Sequence, residues 1–184
     1  METTTRVIVN LAAISHNIAE IRKKIGNQLQ LMAAVKADGY GHGAEEVART
    51  VLASGATSLG VSTTQEGRKL REAGFQAPIL VLGLIQPAEA AITVSFDLSQ
   101  TVMSLEAVEA LDQAAAKMNK KATVHVKVDT GMGRIGLKPD DMPAFVQKVI
   151  SYKNIFLEGI SSHLATADEV DKSYSCKQIN TKFI

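Results

Sequence analysis

Cysteine is nearly missing from this sequence: its 184 residues hold one, Cys176. A single thiol excludes an internal disulfide and fits a reducing compartment, and with no histidine nearby in sequence to support it as a nucleophile it reads as incidental. An excess of charge of either sign is missing too. The 20 lysines and arginines face 19 aspartates and glutamates, for a formal charge of +1 without a basic run. That balance argues against nucleic acid or an anionic membrane surface as the main partner. No segment approaches the roughly 20 unbroken apolar residues of a membrane span, and METTTRVIVN at the N-terminus lacks the charged and apolar regions of a secretory signal. A soluble, cytoplasmic protein is the expectation. Low-complexity linkers and composition shifts are absent as well, so nothing marks a domain boundary. What is present is an ordinary globular composition, 46% hydrophobic and 21% charged, sufficient for a substantial core.

The pattern within that composition is a rhythm. After an expected opening strand at about 6–10, Leu11, Ile14, Ile18, Ile21 and Ile25 recur at spacings of three and four and are closed by Gly26, which predicts an amphipathic helix. Short apolar runs then alternate with helical patterns. LQLMAAVKA (29–37), SLGVST (58–63), ILVLG (79–83), LSQTV (98–102), TVHVKV (123–128) and IFLEGIS (155–161) each precede a segment of helical character. Six βα units imply a parallel sheet with helices outside it, either doubly wound or closed as a (β/α)8 barrel.

The two architectures place chemistry differently. A doubly wound dinucleotide binder carries G-x-G-x-x-G after its first strand, and GYGHG at 39–43 has the wrong spacing. A barrel gathers functional residues at the C-terminal ends of its strands. Lys36 with GYGHG, DTGMGR at 129–134 and SSHLATAD at 161–168 all fall at or just after strand ends, which favours the barrel.

Each of these residues has a plain alternative. A partly desolvated lysine at a barrel mouth is a competent amine for a Schiff base with a carbonyl, whereas taken alone Lys36 reads first as a lysine snorkelling from its strand into water. The glycines beside it permit unusual backbone angles and a close approach to a ligand. Tyr40 offers a hydroxyl to an anion, whereas His42 reads as a surface or capping residue. In TVHVKV the alternation sends Val124, Val126 and Val128 to one face and Thr123, His125 and Lys127 to the other, so Lys127 is expected to point inward and to need an anion. Asp129 is a candidate partner, and Arg134 brings a planar fork suited to a carboxylate or phosphate; a buried salt bridge with a surface arginine is the alternative. His163 is either a core histidine or part of the strand-end site.

AVKADGYGHG, VKVDTGMGRIGL and SSHLATAD together resemble alanine racemase, a pyridoxal-phosphate enzyme whose barrel precedes a β-rich C-terminal domain. The resemblance runs from about residue 4 to the end. It implies that Lys36 holds pyridoxal 5'-phosphate covalently and acts as one acid/base. Tyr40 would bond the cofactor phosphate, and Lys127 matches a lysine that is often carbamylated. Arg134 would be held by that carbamate beside the cofactor and the substrate carboxylate, and His163 would pack near the pyridine ring. No metal is implied. The second acid/base of the family is a tyrosine of the partner subunit in a homodimer, and nothing here matches it.

A complete barrel of this kind takes about 250 residues. Residues 1–184 are therefore expected to be the N-terminal part of the barrel in a longer enzyme, inactive alone, with exposed sheet edges that lower its stability or make it associate. The expected activity of that enzyme is L-alanine/D-alanine interconversion, supplying D-alanine for peptidoglycan. Alternatives are a racemase of broader specificity, acting on serine or other amino acids, a non-catalytic pyridoxal-phosphate-binding module, or a structural fragment that binds nothing.

Overall fold

The computed structural model describes residues 6–181. Its strands are β1 (Met32–Ala34), β2 (Ser58–Val61), β3 (Ile79–Val81), β4 (Ser99–Val102), β5 (Ala122–Lys127) and β6 (Ile155–Ser161), ordered along the sheet as they are in the sequence. The β1–β2, β4–β5 and β5–β6 pairs are parallel. A doubly wound sheet reverses its strand order at a switch point. This sheet does not, so the fold is α/β of the (β/α)8 type, with six of its βα units.

The helices are α1 (Leu11–Ile25), α2 (Lys36–Gly41), α3 (Ala44–Ala53), α4 (Thr64–Glu72), α5 (Ala90–Ser95), α6 (Leu105–Lys117), α7 (Met142–Val149) and α8 (Ser173–Ile179). Their ends carry the expected chemistry. Asn10 accepts from the Ala13 N–H at 3.1 Å to start α1, and Gly26 at φ +72° ends it, a value a side chain would resist. Ser104 starts α6 in the same way. The 3-10 turns Pro87–Glu89 and Pro139–Asp141 lead into α5 and α7, because a proline tolerates the first helical turn, where its missing N–H is not needed.

The opening strand is not formed. Residues 6–10 have no regular structure, and Val7 and Ile8 stand 84% and 83% exposed. An apolar run alone cannot make a strand: the backbone needs a ladder partner, and none lies alongside among the described residues.

The chain divides into two compact units, one ending at Leu80 and the other beginning at Val81. In the first, Arg22 of α1 donates from Nε and Nη2 to the Gly55 carbonyl, at 3.2 and 2.6 Å, tying α1 to the end of α3. In the second, Val102, Val124, Val126 and Val128 pack with Val108 and Leu111 of α6 and with Phe145 of α7. The alternation of β5 is as expected. Its other face is polar, where His125 Nε2 lies 2.8 Å from a Glu158 carboxylate oxygen that also accepts from Ser99 at 3.0 Å.

Candidate active site

Val35, almost fully buried, ends the run of β1, and Lys36 follows as a half-buried residue. The next four residues take left-handed angles: Ala37 (φ 50°, ψ 49°), Asp38 (54°, 48°), Gly39 (62°, 36°) and Tyr40 (55°, 39°). Three of these carry a Cβ, and each such residue costs about 1–2 kcal/mol relative to the right-handed form. A left-handed turn of this kind survives only where its surroundings hold it.

Several groups do so. The Gly39 N–H donates to the Val35 carbonyl at 2.8 Å, and the Gly43 N–H to the Asp38 carbonyl at 2.9 Å. The Asp38 carboxylate accepts from the Ala44 N–H at 2.9 Å, so it also starts α3. His42 Nδ1 lies 3.1 Å from the carbonyls of Gly39 and Tyr40; carbonyls only accept, so this nitrogen carries the proton. His42 is thus a clamp on the turn. The Ala37 N–H donates to Glu66 Oε1 at 2.7 Å. Tyr40, exposed, places its ring 5.9 Å from the Lys36 ammonium, a cation–π distance.

In the second unit Lys127 ends β5 and is 9% exposed, with its backbone carbonyl accepting from Leu137 at 2.9 Å. Its side chain makes no hydrogen bond or ion pair among the described residues. Burial, and then the Arg134 charge, push its ammonium below the ordinary lysine range, while Asp129 pulls weakly the other way. The expected Lys127–Asp129 pair is not made. The Asp129 carboxylate instead accepts from the N–H groups of Gly131 and Gly133, both at 2.9 Å at their shortest, which hold it below the usual carboxylate range. A nearby backbone N–H array is simply the better-placed donor.

Those bonds fold DTGMGRIG into a loop whose base is closed by the Val128–Leu137 bridge and the Asp129 N–H to Leu137 carbonyl bond at 2.9 Å. Gly136 makes the closure possible: at φ +133°, a Cβ there would lie 2.5 Å from the Asp129 nitrogen. Arg134 projects exposed from this loop.

His163 lies on the segment after β6, also exposed. Two residues of α8 join its segment to the Arg134 loop. Gln178, 2% exposed, donates to the His163 carbonyl at 3.0 Å and to Thr130 Oγ1 at 3.2 Å, and accepts from the Ala165 N–H at 2.8 Å. Tyr174 donates to the Gly131 carbonyl at 2.8 Å. Gln178, Tyr174 and Glu66 escape sequence reasoning, since a glutamine in a polar helix carries no signal of its own. Only the capping-box spacing from Thr63 to Glu66 could have drawn attention to one of them.

Residues 9–182 match the family described as "Alanine racemase, N-terminal domain". The chain belongs to this family. An alanine racemase of Desulforamulus reducens is 46% identical over 168 residues, covering 91% of this chain and 45% of the relative. The alanine racemase of Clostridium difficile superposes with a TM-score of 0.86 at 37% identity, over 93% of this chain and 44% of that one. A histidine racemase of Leuconostoc mesenteroides superposes at 0.84 with 30% identity, over 92% of this chain and 45% of that one. The chain thus spans a little under half the length of these relatives. No helix among the described residues is long and apolar enough to cross a membrane.

Proposed function

We propose that the protein is the cofactor-holding part of an amino-acid racemase that interconverts L- and D-alanine with pyridoxal 5'-phosphate. The observation that carries this reading is Lys36, a primary amine at the end of β1, followed at once by a backbone held left-handed, in a chain of this family. In the first unit the donor chemistry suits the cofactor: an aldehyde needs a primary amine, which Lys36 would supply, and a phosphate needs hydroxyl and backbone donors, to which Tyr40 would contribute. In the second unit Arg134 is a cation of the kind that an anionic ring oxygen and a substrate carboxylate need.

When bound, the cofactor supplies an electron-accepting ring that lowers the cost of removing the substrate Cα proton. Lys36 Nζ would hold the cofactor until the substrate amine displaces it, and the freed amine would then take or return that proton on one side of Cα. Racemisation requires a second, opposed acid/base, which we assign to the partner subunit of a homodimer. Arg134 would fix the substrate carboxylate, the role that keeps a bound Cα oriented toward its acid/base groups. His163 would pack beside the ring.

Lys127 is the residue whose burial calls for neutralisation. Its lowered proton affinity leaves more free amine to add to carbon dioxide, giving a carbamate and one released proton. That anion would hold Arg134. We further propose that residues 1–184 act within a longer, cytoplasmic enzyme whose remaining barrel strands and C-terminal domain complete the site, and whose D-alanine goes to peptidoglycan.

The test is covalent. The chain is incubated with pyridoxal 5'-phosphate and reduced with borohydride, and the labelled peptide is mapped. Label on Lys36 is expected; label elsewhere or none would overturn the reading. The enzyme containing this chain is then offered L-alanine, L-serine and L-histidine. The histidine racemase among the structural neighbours makes a broader specificity the second reading, so comparable turnover of all three would favour it. Label on Lys36 without any turnover would leave a binding module.

A further inference from the structure

We propose that Glu66 is the positioning residue for Lys36, holding the peptide that follows it in the one orientation the left-handed turn allows. This rests on the reading of Lys36 as the reactive amine.

Glu66 lies in the first turn of α4, where a capping box needs little of it: its side chain accepts from the Thr63 N–H, at 3.1 Å, and its own N–H donates to Thr63 Oγ1, at 3.2 Å. The carboxylate does more than that. Oε2 also accepts from the Ser62 N–H at 2.6 Å, and Oε1 accepts from the Ala37 N–H at 2.7 Å, 29 residues away in sequence. Three backbone donors from two loops thus converge on one side chain.

The Ala37 N–H belongs to the peptide plane that joins Lys36 to Ala37. Fixing it fixes ψ of Lys36, and with it the direction in which the lysine stem leaves the strand. The restraint matters because Ala37 opens the left-handed turn, whose angles the chain would otherwise abandon. A primary amine that must meet a carbonyl at near-attack geometry loses rate when its backbone wanders.

The chemistry also explains why the residue is a glutamate. Both oxygens face N–H groups, so both must accept. A glutamine has one acceptor and would set its NH2 against either Ala37 or the Ser62–Thr63 pair. An aspartate keeps both acceptors but is one methylene short of spanning the two loops.

The test pairs E66Q with Thr63→Ala, which breaks the other half of the capping box and leaves Ala37 untouched. Two readouts are taken on the full chain: hydrogen exchange of the Ala37 amide without cofactor, and the rate of borohydride-trapped labelling of Lys36 by pyridoxal 5'-phosphate. For E66Q, exchange at Ala37 speeds and labelling slows, each by about tenfold, the equivalent of one charged hydrogen bond. T63A leaves both within about twofold, although it weakens α4. Equal effects of the two variants, or unchanged Ala37 exchange in E66Q, would overturn the proposal and reduce Glu66 to a helix cap. If E66Q does not fold, E66D carries the same comparison, with faster Ala37 exchange expected. A Lys36 that stays unlabelled in the unsubstituted chain counts against the functional reading instead, and Ala37 exchange still decides whether Glu66 holds the turn.

Discussion

Two strands of this chain end in the same three-residue pattern, a lysine, an aliphatic residue and an aspartate, followed by glycines: Lys36-Ala37-Asp38 after β1 and Lys127-Val128-Asp129 at the end of β5. The outcomes are opposite. After Lys36 the backbone enters the left-handed region with residues that resist it, and outside groups (Glu66 and His42) hold it there. After Lys127 the chain stays extended for one residue, and glycines absorb the unusual angles while Asp129 gathers their N–H groups. In one region the strain sits on the residues beside the lysine; in the other it is passed to positions that bear it freely. The first arrangement ties the lysine to a rigid turn. The second frees the side chain of Lys127 from its aspartate and leaves it buried without a hydrogen bond among the described residues.

The contrast is broken most severely at Gly136. A Cβ there meets the Asp129 nitrogen at 2.5 Å and the Val128 carbonyl carbon at 2.7 Å, at a φ no alanine favours. Gly136→Ala should cost about 3 kcal/mol or more, read as a lower urea midpoint at unchanged slope. A loss below about 1 kcal/mol would mean the loop base yields easily, and the contrast between the two regions would shrink.

Gln178→Ala comes next. It strands the Ala165 N–H and two other polar partners, for about 2 kcal/mol. Faster hydrogen exchange at Ala165 and in the 129–136 loop, with Ala37 unaffected, is the expected signature.

Lys127→Met sharpens the comparison through pH. A lysine whose folded proton affinity is lowered penalises the folded state below that lowered value, and the penalty fades as pH rises toward the ordinary lysine range. The methionine variant should therefore be more stable than the original at neutral pH, with the gap closing as pH climbs through that window. Equilibrium unfolding at several pH values checks this, in carbon-dioxide-free buffer so that the amine stays unmodified. A 13C carbamate resonance that appears with labelled bicarbonate and is lost in this variant would establish the modification.

The smallest effect belongs to Ala37→Gly. Relief of the left-handed strain outweighs the added freedom of the unfolded chain by up to about 1 kcal/mol, a gain in stability. The same substitution at a right-handed position would be a loss.

Much of this was legible beforehand. Apolar runs bounded by helical periodicity located all six strands, because buried parallel strands must be nearly continuous in hydrophobic residues. Period-two alternation assigned the faces of β5. The residues at 6–10 misled, since their apolar run has no strand to pair with among those described. Asp129 misled for a different reason: Coulomb attraction to a nearby lysine is easy to read from sequence, whereas competition from backbone donors depends on how the loop closes.

The sequence by itself determined the six strands, the helices that follow them in the βα rhythm and the three strand-end segments that carry Lys36, Arg134 and His163, because these follow from local periodicity and from residue types that few other contexts require. Only the tertiary structure decided what holds those segments in place. Glu66 reaches Ala37 across 29 residues, and Gln178 joins Thr130 to His163 across 48 and 15. Bonds of that span depend on where separate loops come to rest, and no local pattern encodes it.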